Sequence, residues 1–232
     1  MVAFWLVVAF YFLVTIAAFV AATRTFHAPR YLLVIGGLVI IVSSGTGAFI
    51  GYQLGGHVFH IGKQSHVTLR LLPFYTAALL EEAARVVTLY WISRRRGIGD
   101  AVTFGVGFAG FESIKKALFD LPLSMSLARA AFSAVLCVEI FIFHIALTVL
   151  LYRVWRDDHS SSFTAGVIST AMIYHVLMDF CGVNVAVLFG TGYAVIVWSC
   201  VTPIHIAVIW WGTRAFRMHT AAPAAAQEAL TP

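Results

Sequence analysis

Long apolar segments of about 20 residues, joined by short polar stretches, make up most of this chain. A segment of that length is what an α-helix needs to cross the hydrocarbon core of a bilayer. Only 11% of the residues are charged, whereas about 25% are charged in a typical soluble domain. The mean hydropathy is +0.91. We therefore expect an all-α fold, a polytopic membrane helix bundle.

The chain of 232 residues has room for seven transmembrane helices, or for eight with very short loops. No linker rich in proline, glycine or serine divides it, so residues 1–218 are expected to form one transmembrane domain. The small, polar segment 219–232 is expected to be a disordered tail. We place seven spans at 3–22, 32–55, 69–92, 98–118, 130–152, 162–181 and 186–211.

Basic residues are distributed unevenly over the predicted loops. Nine arginines follow the first, third, fifth and seventh spans, and five lysines and arginines lie on the other side. The positive-inside rule puts the richer side in the cytoplasm, so the N-terminus is expected outside and the C-terminus inside. The formal charge of +5 reflects these loops and does not indicate nucleic-acid binding. Membrane lipids are the first expected partners.

Ionisable side chains lie inside several predicted spans. An ionised carboxylate at the centre of a bilayer costs roughly 2.5–3.5 kcal/mol on insertion scales. These side chains are therefore expected to face a protein interior or a wet cavity. The set comprises Glu81, Glu82 and Arg85 in span 3, Glu112 in span 4, Glu139 and His144 in span 5, His175 and Asp179 in span 6, and His205 in span 7.

Helical spacing indicates which of these side chains share a face. Glu81 and Arg85 are four residues apart, as are His175 and Asp179, so each pair can meet on one face of its helix. Glu112 is expected to have no basic residue one turn away on its own face.

Two further expectations concern spans 4 and 5. Glu139 and His144 lie roughly 140° apart around their helix, so they are expected to have different partners. Three glycines in the stretch 103–113, TFGVGFAGFES, form a small-residue surface that another helix can approach closely. Close approach would bring Glu112 near groups on spans 3, 5 or 6.

Three other polar residues have simpler interpretations. Lys115 and Lys116, at the end of span 4, are expected to be snorkelling or interface anchors. His205 follows Pro203 by two residues, and it is expected to contact a backbone carbonyl that the proline leaves without a partner.

Carboxylates and imidazoles that converge from several helices suit three kinds of role. A glutamate can activate water as a general base, and two histidines with a carboxylate can form an open zinc site. A proton or ion relay in a transporter uses the same residue types. A buried ion network that fixes helix register would be purely structural. The residues alone leave these alternatives open.

Three short motifs occur in order within the predicted spans: EEAAR at 81–85, FAGFE at 108–112 and HVLMD at 175–179. They have the form E-E-x-x-[basic], F-x-x-x-E and H-x-x-x-D. In this the chain resembles the PrsW-type intramembrane proteases. It is also similar to the YhfC family of membrane metalloproteases, and there the resemblance extends to VEIFIFHIALTVL in span 5. Both belong to the superfamily of the CAAX prenyl proteases, which also contains the non-catalytic scaffold subunit of gamma-secretase.

The resemblance implies two sets of site residues within a catalytic-like core at 69–183. The catalytic set is Glu81, Glu82 and Arg85. The resemblance also implies a set that binds a metal or positions the water, namely Glu112, His144, His175 and Asp179. Zinc is the metal implied, and a glutamate-activated water without a metal is the alternative.

The chain departs from these families at three positions. The PrsW-type proteases usually have a lysine where Arg85 stands, and Arg85 is one residue closer to the glutamates than the CAAX proteases require. Many YhfC-like sequences have a histidine at the position of Phe108, and the CAAX proteases have one at the position of Glu112.

The first expectation is thus an intramembrane protease in a bacterial-type cytoplasmic membrane, acting on a membrane-protein or peptide substrate. Glu81 and Glu82 are 100° apart on their helix, so one is expected to act on the water and the other on Arg85. The second expectation is a catalytically inactive scaffold that binds a partner's transmembrane helix. The third is a small proton-coupled transporter, although no internal repeat of the kind common in transporters is visible.

Overall fold

The computed structural model describes residues 1–58, 66–119, 121, 123–157, 160–179 and 191–228. Of residues 58, 66–71, 178–179, 191, 194 and 219–228 only the backbone is described. This part of the chain is helical and contains no strand. A π-helical turn, Leu54–Val58, follows the second of its seven α-helices. The helices are α1 Val2–Phe26, α2 Tyr31–Gln53, α3 His66–Arg95, α4 Ile98–Phe119, α5 Leu127–Arg156, α6 Ser161–Asp179 and α7 Thr191–Glu228.

Four described helical segments are long and apolar enough to cross a membrane. They are Val2–Phe26, Tyr31–His57, Leu127–Arg156 and Val195–Met218. The prediction of an all-α membrane protein is confirmed at this level for the described part of the chain. The number of spans and their orientation stay predictions.

Local signals mark where the helices begin and end. His27 follows α1 in the left-handed conformation, with φ 49°, and Pro29 comes two residues later. Ser126 caps α5, because its hydroxyl accepts a hydrogen bond from the backbone N–H of Arg129 at 3.2 Å. α7 reaches Glu228 and so includes most of the segment 219–232, for which disorder was expected. Alanine, the strongest helix former, is abundant there.

The helix α4 lies at the centre of the bundle, and every residue from 101 to 110 is buried. It packs against α1, α2 and α5. A Cβ atom at Gly107 would lie 2.7 Å from Leu33 Cα on α2, and one at Gly36 would lie 2.6 Å from Phe108 N. Only glycine permits this backbone contact. The expected close approach at span 4 is therefore confirmed.

The helix α3 completes the frame of the site. It packs against α2 on one side and against α5 and α6 on the other. A Cβ atom at Gly47 would lie 2.7 Å from the backbone nitrogen of Ala77, so here too a glycine of α2 lets a neighbouring backbone approach. The inner face of α3 consequently points towards α4, α5 and α6, where it carries its two glutamates.

Candidate functional site

Six of the seven predicted site residues meet in the interior of the bundle. Each is at most 2% exposed. They come from four helices: Glu81, Glu82 and Arg85 from α3, Glu112 from α4, His144 from α5 and His175 from α6. We call this set the polar centre. The seventh, Asp179, is the last residue of α6, and its side chain lies outside the described residues.

The guanidinium of Arg85 is fully buried and has three neighbours. Its Nη1 lies 3.1 Å from Glu82 Oε1, and its Nη2 lies 2.6 Å from His144 Nδ1. The ring of Phe108 covers its face, with the guanidinium carbon 4.0 Å from the ring centre. The acidic partner of Arg85 is therefore Glu82, although the i,i+4 spacing also allowed a pair with Glu81. His144 draws the guanidinium towards α5, where the i,i+3 neighbour Glu82 can reach it.

Glu82 also holds the imidazole of His175. The His175 Nδ1 atom lies 2.7 Å from Glu82 Oε1. The other ring nitrogen, Nε2, lies 3.7 Å from Glu81 Oε2 and 3.9 Å from Glu112 Oε1. A carboxylate at Nδ1 fixes the orientation of an imidazole, so Glu82 directs His175 Nε2 between the other two carboxylates.

Two lysines of α4 pair with carboxylates of the polar centre. Lys115 Nζ donates to Glu81 Oε1 at 2.8 Å and to the Ser44 hydroxyl at 2.8 Å. Lys116 Nζ lies 2.7 Å from Glu112 Oε1. The interpretation of both lysines as interface anchors is wrong, and so is the expectation that Glu112 has no basic residue on its own helix face. The i,i+4 spacing of Glu112 and Lys116 is the signal that would have shown this pair.

An apolar groove leads from the surface of the bundle to Glu81. It has a volume of about 600 Å³ and runs between α2, α3 and α4. Aromatic side chains, including Tyr52, Phe74 and Phe111, line its walls, and so does Lys115, which pairs with Glu81. The Glu81 Oε2 atom has no hydrogen-bond partner among the described residues. Glu81 is thus the point at which the groove meets the polar centre.

By distance alone, part of the polar centre could hold a metal ion. Glu112, His144 and His175 each offer one ligand atom, and these atoms all lie within 4.8 Å of one another. Two histidines and a carboxylate form a common open zinc site. The distances therefore agree with the predicted metal set for three of its four residues.

A second buried polar cluster joins α5 to α7. The His205 Nδ1 atom is in close contact with Glu139 Oε1, and the indole N–H of Trp198 donates to Glu139 Oε2 at 2.8 Å. The expectation that Glu139 and His144 have different partners is confirmed, because His144 contacts Arg85 in the polar centre. His205 thus contacts a carboxylate, and its expected contact with a proline-freed carbonyl stays a prediction.

No protein-family model, curated protein or solved structure matches this chain. The structure and its polar centre define a helical membrane protein with a buried set of carboxylates and imidazoles. The resemblance to PrsW-type and YhfC-like proteases rests on the sequence motifs alone.

Proposed function

We propose that this protein is an intramembrane protease in which Glu81 activates the attacking water. The observation that carries the proposal is the position of Glu81 at the junction of the apolar groove and the polar centre. Its Oε1 is held by Lys115, while Oε2 has no hydrogen-bond partner among the described residues. A carboxylate oxygen with an available lone pair beside a substrate-sized groove suits a general base.

The proposed reaction is the hydrolysis of a peptide bond in the groove. The Glu81 Oε2 and His175 Nε2 atoms are 3.7 Å apart, a separation at which one water can contact both. Glu81 takes a proton from this water while the water oxygen bonds to the carbonyl carbon. The carbonyl oxygen gains negative charge, which the groove-lining cations Lys115 and Lys116 can stabilise. Glu81 then gives the proton to the amide nitrogen, the C–N bond breaks, and a carboxylic acid and an amine are released.

The two adjacent glutamates have different roles in this proposal. Glu82 lies 3.1 Å from Arg85 and 2.7 Å from His175, and it is fully buried. It therefore acts as a positioning residue that orients His175 towards the water. In this proposal Glu81 is the residue that acts on the water, and Glu82 is the residue that pairs with Arg85.

The apolar walls of the groove indicate the class of substrate. Its lining is mostly aliphatic and aromatic, which suits a segment of a membrane protein better than a polar peptide. We place the protein in a bacterial-type cytoplasmic membrane, with seven spans, the N-terminus outside and the C-terminus inside.

The test is quantitative N-terminal proteomics of membranes from cells that express the wild type, Glu81→Gln or Glu139→Gln at matched levels. Glu139→Gln is the matched control, because it removes a carboxylate within the helix bundle but outside the polar centre. We expect new membrane-protein N-termini with the wild type and with Glu139→Gln, and none with Glu81→Gln. Identical N-terminal profiles in wild-type and Glu81→Gln membranes would overturn the proposal.

One observation favours a second function, that of a catalytically inactive scaffold. Phe108 stands where many YhfC-like sequences have a histidine, and its ring lies fully buried over Arg85. A scaffold would use the groove to bind a partner's transmembrane helix. In that case Glu81→Gln would leave the N-terminal profile unchanged, and cross-linking from the groove would capture the partner equally well with both forms.

A further inference from the structure

Arg85 and the two lysines beside the polar centre balance the charges of its carboxylates. Each of its carboxylates has one cationic partner: Glu81 has Lys115 at 2.8 Å, Glu82 has Arg85 at 3.1 Å, and Glu112 has Lys116 at 2.7 Å. The three negative and three positive formal charges cancel. In a metal site the bound ion itself balances the charge of its carboxylate ligands.

Arg85 also determines which nitrogen of His144 carries a hydrogen. A guanidinium has five N–H donors and no acceptor. Because Arg85 Nη2 lies 2.6 Å from His144 Nδ1, this nitrogen must be the acceptor, and the hydrogen of a neutral ring then sits on Nε2. Nε2 lies 2.9 Å from Glu112 Oε2, at hydrogen-bond distance from an acceptor. The arrangement places the Nε2–H of His144 beside the carboxylate of Glu112.

This state of His144 conflicts with metal ligation. An imidazole binds a metal through a nitrogen lone pair. The lone pair of Nδ1 faces Arg85, and Nε2 carries the hydrogen. Arg85 cannot readily move away, because Phe108 covers its face and Glu82 binds its other nitrogen. An ion bound to Glu112 would in addition lie beside the ammonium of Lys116.

We propose that Arg85, Lys115 and Lys116 take the electrostatic place of a divalent metal, so that the polar centre works without one. Arg85 is in this view a positioning residue that fixes His144 as an Nε2–H donor. The inference deepens the proposed protease function by assigning its chemistry to a water and side chains alone. It concerns the metal content and the tautomer of His144, both of which are measured without a substrate.

The first test is the metal content of the purified protein in lipid nanodiscs. The protein is equilibrated with excess Zn²⁺ or Co²⁺, desalted and analysed by mass spectrometry of the elements, with Co²⁺ ligation also followed by visible absorption. We expect far less than one ion per wild-type chain. One tightly held ion per chain that is lost in His144→Gln would overturn the inference.

A gain-of-metal experiment tests the role of the cations. Arg85→Met/Lys116→Met removes two cations and frees Nδ1 of His144, so we expect it to take up close to one ion per chain. Arg94→Met/Arg95→Met, which makes the same change of charge outside the polar centre, should take up none. Arg85→Met alone, which also frees Nδ1 of His144, serves if the double variant does not fold. If a folded variant that lacks Arg85 binds no more metal than the wild type, the proposal that these cations replace a metal is refuted.

Nitrogen NMR of ¹⁵N-histidine-labelled protein tests the positioning role of Arg85. We expect the wild-type His144 to have a protonated Nε2 and an unprotonated Nδ1, and Arg85→Met to abolish this fixed assignment. A His144 with its hydrogen on Nδ1 in the wild type would overturn the inference. Absence of proteolysis together with absence of metal would instead refute the proposed function and leave this inference standing.

Discussion

Replacing Arg85 by methionine should destabilise the bundle more than most single substitutions. Arg85 is fully buried, and its removal leaves the buried carboxylate of Glu82 without its cation. Removing one partner of a buried ion pair typically costs about 3–5 kcal/mol, because the other charge stays buried and uncompensated. Glu82 keeps its contact with His175, so we expect the lower end of this range, about 3 kcal/mol.

The assay is thermal unfolding in nanodiscs of the wild type, Arg85→Met, Glu82→Gln and the double variant. For a chain of this size, about 3 kcal/mol corresponds to a fall in the unfolding temperature of roughly 10 °C. The double variant leaves neither charge behind, so it should lose less stability than the two single variants added together. Strict additivity, or an Arg85→Met protein that unfolds at the wild-type temperature, would refute the reasoning.

Three further substitutions and one control test the packing around the site and the second polar cluster. Gly107→Ala would place a Cβ against the backbone of α2 and should lower the free energy of unfolding by about 1–3 kcal/mol. In the control Gly45→Ala the new Cβ has no atom within 4 Å, so the same assay should show almost no change. Phe108→Ala removes a fully buried ring and its contact with Arg85, and a loss of about 3–5 kcal/mol is expected; a change below 1 kcal/mol would contradict it. Trp198→Phe deletes the hydrogen-bond donor to Glu139 and should lower the free energy of unfolding by about 1–3 kcal/mol. If the second cluster is structural, cleavage by this variant should be unchanged.

The burial of the ionisable residues in the polar centre was predictable, because exposing a charge to lipid costs free energy that the protein interior avoids. Six of the seven predicted residues do converge, and the glycines of span 4 correctly indicated a close helix contact. The roles of these residues stay predictions. The two lysine partners were missed: the i,i+4 spacing of Glu112 and Lys116 was overlooked, and the pair of Lys115 with Glu81 has no local signal. Lys115 pairs with a glutamate 34 positions earlier in the chain, and no local pattern reports such a distance.

The amino-acid sequence was enough to predict a membrane helix bundle whose ionisable side chains face the protein interior. Both predictions follow from the free-energy cost of exposing polar groups to lipid. Composition and helical spacing are enough to apply that argument. The folded arrangement brings Arg85 to Glu82 and His144, and it leaves Glu81, but not Glu82, at the groove. These contacts depend on how the helices are rotated and how closely their backbones approach. That rotation is set by packing between residues far apart in the chain, which no helical spacing encodes.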